Sequence, residues 1–149
     1  MIRFLQNLDN VNVDATKKAK VDTKRGMFVT VDDLNGTFEP ATDLASADGL
    51  VLRDTIVDEN VAQGFPISEY SETQNLIKKD TLAGVRVWLK GERFSTDQYN
   101  KEMTADQTKV GKYLTVANGI LVTSADPTEI VSLGIMSDAG NTVLGYKFV

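Results

Sequence analysis

The chain has 149 residues, 42% hydrophobic and 25% charged, with a net charge of −5, which suits one globular domain whose core needs no covalent staples. It holds neither histidine nor cysteine. That excludes disulfides, thiolate nucleophiles, Ser-His hydrolases and zinc sites built on His or Cys, and leaves any chemistry to Asp, Glu, Lys, Tyr or Ser.

Charge is polarised along the chain: residues 1–26 carry six basic and three acidic side chains, a local +3, against −8 over the remainder. The opening MIRFLQNLDNVNV runs quickly into Asp9 and Asn10, so a signal peptide is not expected, and no apolar stretch reaches membrane-spanning length. Synthesis in the cytosol is the expectation. From Leu5 to Arg25 the sequence is polar, contains the cluster TKKAKVDTKR at 16–25, and shows no apolar period of 2 or 3.6. It reads as an extended N-terminal arm, residues 1–25, ahead of one β-rich domain over 26–149.

Strand signals follow at MFVTV (27–31), GLVLRDTIV (49–57), VRVWLK (85–90), YLTVA (113–117), ILVTS (120–124), IVSLGIM (130–136) and VLGYKFV (143–149). Turn residues separate them at Asp33 to Gly36, Ala47 to Gly49, Asn118-Gly119, Asp126-Pro127 and Asp138 to Asn141. Two short helices are predicted, one from the capping box Ser71-Glu72-Thr73-Gln74 to Lys79 and one over Thr96 to Met103. Short strands with turns between them, and no long crossover helices, predict an all-β, mainly antiparallel fold: a small barrel or sandwich. The segment DENVAQGFPISEYSETQNLIKKD (58–80) fits no minimal barrel and reads as an insertion or long loop.

The two C-terminal strand pairs carry the clearest pairing signals. Asn118-Gly119 supplies a two-residue loop with positive φ at both positions, pairing Ala117 with Ile120 and Val116 with Leu121. Leu114, Val116, Leu121 and Thr123 then share one face. Tyr113, Thr115, Ala117, Ile120, Val122 and Ser124 share the other, which is apolar enough to need partial cover. In the last pair, Val131, Leu133 and Ile135 are expected to meet Leu144, Tyr146 and Phe148 on the core side, with Ser132, Gly134, Gly145 and Lys147 opposite.

Catalytic patterns are scarce. Asp32-Asp33 with Asn35-Gly36 superficially fits a calcium loop, but the EF-hand spacing fails at its first and twelfth positions, Val31 and Thr42, and a turn is the better reading. A glycosidase-like acid pair could be drawn from Asp54, Asp58, Glu59 or Glu69, although spacing alone fixes neither separation nor pKa. G-x-S-x-G, P-loop, S-x-x-K and G-x-G-x-x-G patterns are absent. Asn35-Gly36-Thr37 has the form of a glycosylation acceptor, relevant only to a secreted chain. No catalytic residue, metal site or cofactor is assigned.

Two features stand out as contact candidates. In VRVWLK, alternation puts Trp88, the only tryptophan, on a polar face between Arg86 and Lys90. The structural reading is an indole covered by the chain's own loop; the functional one is an interface anchor, because Trp and Arg concentrate at binding hot spots. The basic cluster Lys17, Lys18, Lys20, Lys24 and Arg25 is either a solvated loop or a contact for an acidic partner. Nucleic acid is not favoured, because the rest of the chain is acidic and no aromatics interleave with the cluster.

The stretches VWLKGERFSTDQY, VGKYLTVANGILVTS and LGIMSDAGNTVLGYKFV, in a small, acidic, cysteine-free, β-rich chain, resemble the capsid decoration or head cement proteins of tailed bacteriophages. The resemblance covers roughly residues 26–149 in layout. It implies a non-enzymatic virion protein, made in the host cytoplasm, that binds the outer surface of the capsid through contacts with the major capsid protein. A homotrimer with an N-terminal arm and a barrel or tulip body is the form it implies, with no membrane and no nucleic-acid partner. Two other classes stay open: a small β-barrel that binds a ligand or carbohydrate, and another tail or neck component.

Overall fold

A computed structural model of the chain describes residues 2–6, 13–54, 75–138 and 140–149. The fold is all-β. Thirteen strands are placed: β1 (Ile2–Gln6), β2 (Val13–Ala19), β3 (Thr23–Lys24), β4 (Phe28–Asp32), β5 (Thr37–Pro40), β6 (Gly49–Asp54), β7 (Leu76–Ile77), β8 (Leu82–Arg86), β9 (Arg93–Thr96), β10 (Tyr113–Ala117), β11 (Ile120–Thr123), β12 (Ile130–Asp138) and β13 (Asn141–Phe148). They make a closed barrel in the order β2-β5-β4-β6-β8, a six-stranded sheet in the order β1-β9-β13-β12-β10-β11, and the small ribbon β3-β7.

Along Phe28-Val29 and Gly49 to Val51 the barrel wall is buried on both sides. Val29, Phe38, Val51, Ala83 and Val85 point inward with Ala19 and Ile77, forming one core. Their chain neighbours Phe28 and Leu50 point outward into a second core shared with the sheet, with Phe94, Leu114, Val116, Leu121, Ile130, Leu144, Tyr146 and Phe148. This is why β4 and β6 carry unbroken apolar runs such as FV and LVL: over those residues the strand has no solvent face to make polar.

The described parts of the N-terminal stretch are mostly strands woven into the body. β2 lies between β5, in parallel, and β8, antiparallel, and so closes the barrel. Its burial runs exposed throughout except for half-buried Lys17 and buried Ala19. Backbone hydrogen bonds hold the strand while its side chains stay in water, so an apolar period has nothing to report.

Hairpin β10–β11 has the predicted register, Ala117 opposite Ile120 and Val116 opposite Leu121, with φ of 50° at Asn118 and 79° at Gly119. Leu114, Val116 and Leu121 are buried and the other face is mostly half-covered. The tip is not a free turn: Gly119 N–H donates to the Ala41 carbonyl at 2.7 Å, and Phe28 N–H donates to the Gly119 carbonyl at 2.9 Å. A Cβ at Gly119 would lie 2.8 Å from Met27 Cε and 3.1 Å from the Phe28 oxygen, so glycine is required for room as well as for φ.

The last pair departs from expectation. A β-bulge between Ser132 and Gly134 puts Ile130 opposite Phe148 and Ser132 opposite Tyr146, so the core side of β12 is built from Ile130 and Ser132, not from Val131 and Leu133. Ile135 pairs with Leu144 in register but stands 46% exposed, outside the core. Gly134 carries the bulge at φ 92°, and Ser132 Oγ stitches it, accepting from Gly134 N at 3.0 Å and donating to the Thr108 carbonyl at 2.7 Å. Strand β8 also ends early, at Arg86, and Val87 to Leu89 form an irregular corner. Thr96 to Met103 is not helical: it runs from the end of β9 through turns and an isolated bridge at Tyr99. Of the Ser71 to Lys79 helix, residues 71–74 lie outside the described residues, while Leu76–Ile77 form β7.

Candidate functional site

Trp88 belongs to the seam between barrel and sheet. Its indole stacks on Phe148 at 5.0 Å with 7° between planes and meets Phe28 edge-on at 5.5 Å. Phe94, Tyr146 and Phe148 continue the cluster. The alternation of VRVWLK misleads because the strand stops at Arg86, and the corner turns Trp88 inward while Val87 and Leu89 stand 57% and 42% exposed.

Arg86 is buried as well. Its guanidinium is bonded to the buried carboxylate of Glu92 and lies 5.7 Å from the Phe94 ring. The second Glu92 oxygen accepts from Leu89 N at 2.9 Å, so one carboxylate fixes both the cation and the corner. Lys90 alone of the three is an exposed turn residue. Arg86, Trp88 and Lys90 therefore form no common surface, and the stacked indole face is already occupied.

The basic cluster is dispersed in the same way. Lys17 Nζ donates to Asp33 Oδ1 at 2.7 Å, with Asp14 Oδ2 at 3.6 Å. The bond to Asp33 raises the lysine's pKa above its usual range. Lys20 pairs with Glu39 at 2.9 Å, and Arg25 Nε donates to the Leu52 carbonyl at 2.8 Å. Lys18 and Lys24 are exposed. Neighbouring acids from β5 and the turn after β4 thus offset the cluster, which the linear charge count could not reveal.

Asp32 is committed to its turn, accepting from Asn35 Nδ2 at 2.6 Å and Asn35 N at 3.1 Å, and these bonds hold its carboxyl below the usual range. Among the described residues no group of three or more acids is placed to hold a metal. Asp58, Glu59 and Glu69 lie outside the described residues.

Concavities open at two places among the described residues. One, about 370 Å³, is lined by Asp106, Gln107, Lys112, Tyr113, Thr123 and Ser124 beside β10 and β11. The other, about 420 Å³, is the mouth of the barrel, lined by Val13, Asp14, Val31, Asp33, Asp48, Val85 and Val87. Sequence reasoning missed the mouth because its residues come from four separated stretches of the chain. Among the described residues no helix is long and apolar enough to cross a membrane. Compared with known proteins, the chain matches no family model, no curated protein and no solved structure.

Proposed function

We propose that the chain is a non-enzymatic structural protein of a tailed-phage virion, binding the outer surface of the capsid and stabilising it through contacts with the major capsid protein. The sequence resemblance supplies the partner. The structural observation that carries the role is the division of side chains: the large aromatics are stacked into the seam between two sheets, while aliphatic residues stand outside. Leu34 is 98% exposed, Val110 72% and Val87 57%. A stiff body presenting scattered apolar side chains suits many weak contacts repeated by symmetry, with a homotrimer as the working assembly.

The carbohydrate-binding alternative has one feature on its side, the Tyr113 concavity. Its single ring comes without a second aromatic wall among the lining residues, so assembly remains the better-supported reading. The test is electron microscopy of the purified protein mixed with expanded candidate capsids, alongside its mass in solution. Added density at symmetry-related capsid positions and a rise in capsid melting temperature are expected. Absence of association with mature capsids in mild salt would count against the role.

A further inference from the structure

We propose that the barrel mouth is a docking site for a cationic side chain, arginine or lysine flanked by aliphatic residues, presented by a partner polypeptide. Small β-barrels favour ligand sites at their mouths, and about 420 Å³ falls within the range of such sites. The floor is apolar, since Val85 belongs to the barrel core and half-buried Val31 packs against it. Val13 and Val87, 45% and 57% exposed, extend that apolar surface outward on one side. Asp14, Asp33 and Asp48 supply the polar rim.

The chain shows what this mouth accepts. Lys17 lays its side chain along the surface, only 11% exposed, and delivers its ammonium to Asp33 and Asp14. That is the snorkelling arrangement in which an aliphatic stem covers apolar surface and a charged head meets carboxylates. Among the described lining residues one ammonium meets three carboxylates, and although Asp14 also accepts from Thr16 and Asp48 from Val31 N at 2.8 Å, the lining stays acidic, so charge complementarity selects a second cation. The exposed valines beyond the rim make a polypeptide a better fit than a free amine, because they offer apolar surface that an aliphatic neighbour of the charged residue would cover. This goes beyond the capsid reading: it specifies the chemistry of a partner contact whatever the partner is.

The test uses the full chain with methyl-labelled valine and the probe acetyl-Val-Arg-Val-amide, followed by NMR. Saturable shifts at Val13, Val31, Val85 and Val87 are expected, with a dissociation constant on the order of 1 mM. Asp33→Asn and Val87→Ser, both at exposed positions, should each weaken binding at least about threefold. Acetyl-Val-norleucine-Val-amide binding as tightly as the arginine peptide would overturn the proposal, as would shifts that spread away from the mouth or variants that bind unchanged. Spermidine binding more tightly than the peptide would also overturn it, in favour of a small-amine site. The assay contains no capsid, so a negative result refutes this site and leaves the capsid reading to its own experiment.

Discussion

Replacing Glu92 with glutamine tests the corner on which barrel and sheet meet. Glu92 is wholly buried and Arg86 is 3% exposed, and the two side chains are bonded to each other. Glutamine keeps the volume and an oxygen for the Leu89 N–H, but it removes the carboxylate charge bonded to the buried guanidinium. Removing one partner of a buried ion pair costs about 3–5 kcal/mol. A chain of this size has roughly 5–15 kcal/mol of stability in all, so the single change removes a large share of it. Arg86→Met strands the carboxylate instead, although Leu89 N still donates to Glu92, which puts its cost toward the lower end of that range. The double variant Arg86→Met/Glu92→Gln buries no net charge and should be less destabilised than the sum of the singles by about 2 kcal/mol or more. Urea denaturation of all four proteins, followed by Trp88 fluorescence, closes the cycle. Strictly additive losses, or a Glu92→Gln cost below about 1 kcal/mol, would refute the claim that this pair is a desolvated unit.

Other outcomes follow from single positions. Tyr146 is fully buried with no hydrogen-bond partner for its hydroxyl, and burial, then the Glu92 charge, pushes its pKa far up; Tyr146→Phe should raise stability by about 1 kcal/mol, measured as a shifted urea midpoint at unchanged slope. Trp88→Ala should cost about 3 kcal/mol through loss of the stack on Phe148, a stability effect visible in the isolated protein without any partner. Gly119→Ala should cost more than Gly134→Ala in thermal melts, because both have positive φ but a Cβ meets Met27 at 2.8 Å in the first and only Val110 at 3.4 Å in the second. The Asp32 and Asp43 carboxyls are held below the usual range, by Asn35 and by the Ser46 backbone respectively. Their contribution is therefore present above pH ~4 and is lost as the pH falls through their lowered values, so melting temperature measured from pH 5 to 2 should decline less steeply in Asp32→Asn/Asp43→Asn.

What the sequence discloses depends on whether a residue's environment is local. Hairpin β10–β11 was legible in class, register and faces because Asn118-Gly119 fixes a two-residue turn and the period-2 pattern does the rest. Its tip was not, since contact with Met27, Phe28 and Pro40 comes from residues some 80–90 positions away. Ser132 on the core side of β12 escaped notice because one extra residue at the bulge inverts every face N-terminal to it; Gly134 inside a strand was the available signal. β2 gave no pattern because the barrel uses its backbone and, of its side chains, buries only Ala19. The basic cluster looked unopposed because Asp33 and Glu39, which offset Lys17 and Lys20, arrive through strand pairing.

The same pairing changes what a truncation can show. Removing residues 1–25 deletes β2, the strand between β5 and β8, and with it Val13 and Asp14 at the barrel mouth. The backbone donors and acceptors of both neighbours would then face solvent along newly exposed edges. Loss of docking in such a truncation would report an opened barrel as readily as a lost contact. Substitutions that keep the strand separate the two: Lys18 and Lys24 are exposed, and changing both to glutamine alters charge while leaving the β2 ladder intact. If the basic segment itself contacts an acidic capsid surface, Lys18→Gln/Lys24→Gln should weaken capsid binding at low salt with an unchanged urea midpoint. Binding that is equally tight and equally salt-sensitive in the double variant would remove these lysines from the contact and shift attention to the acidic mouth at the other end of β2.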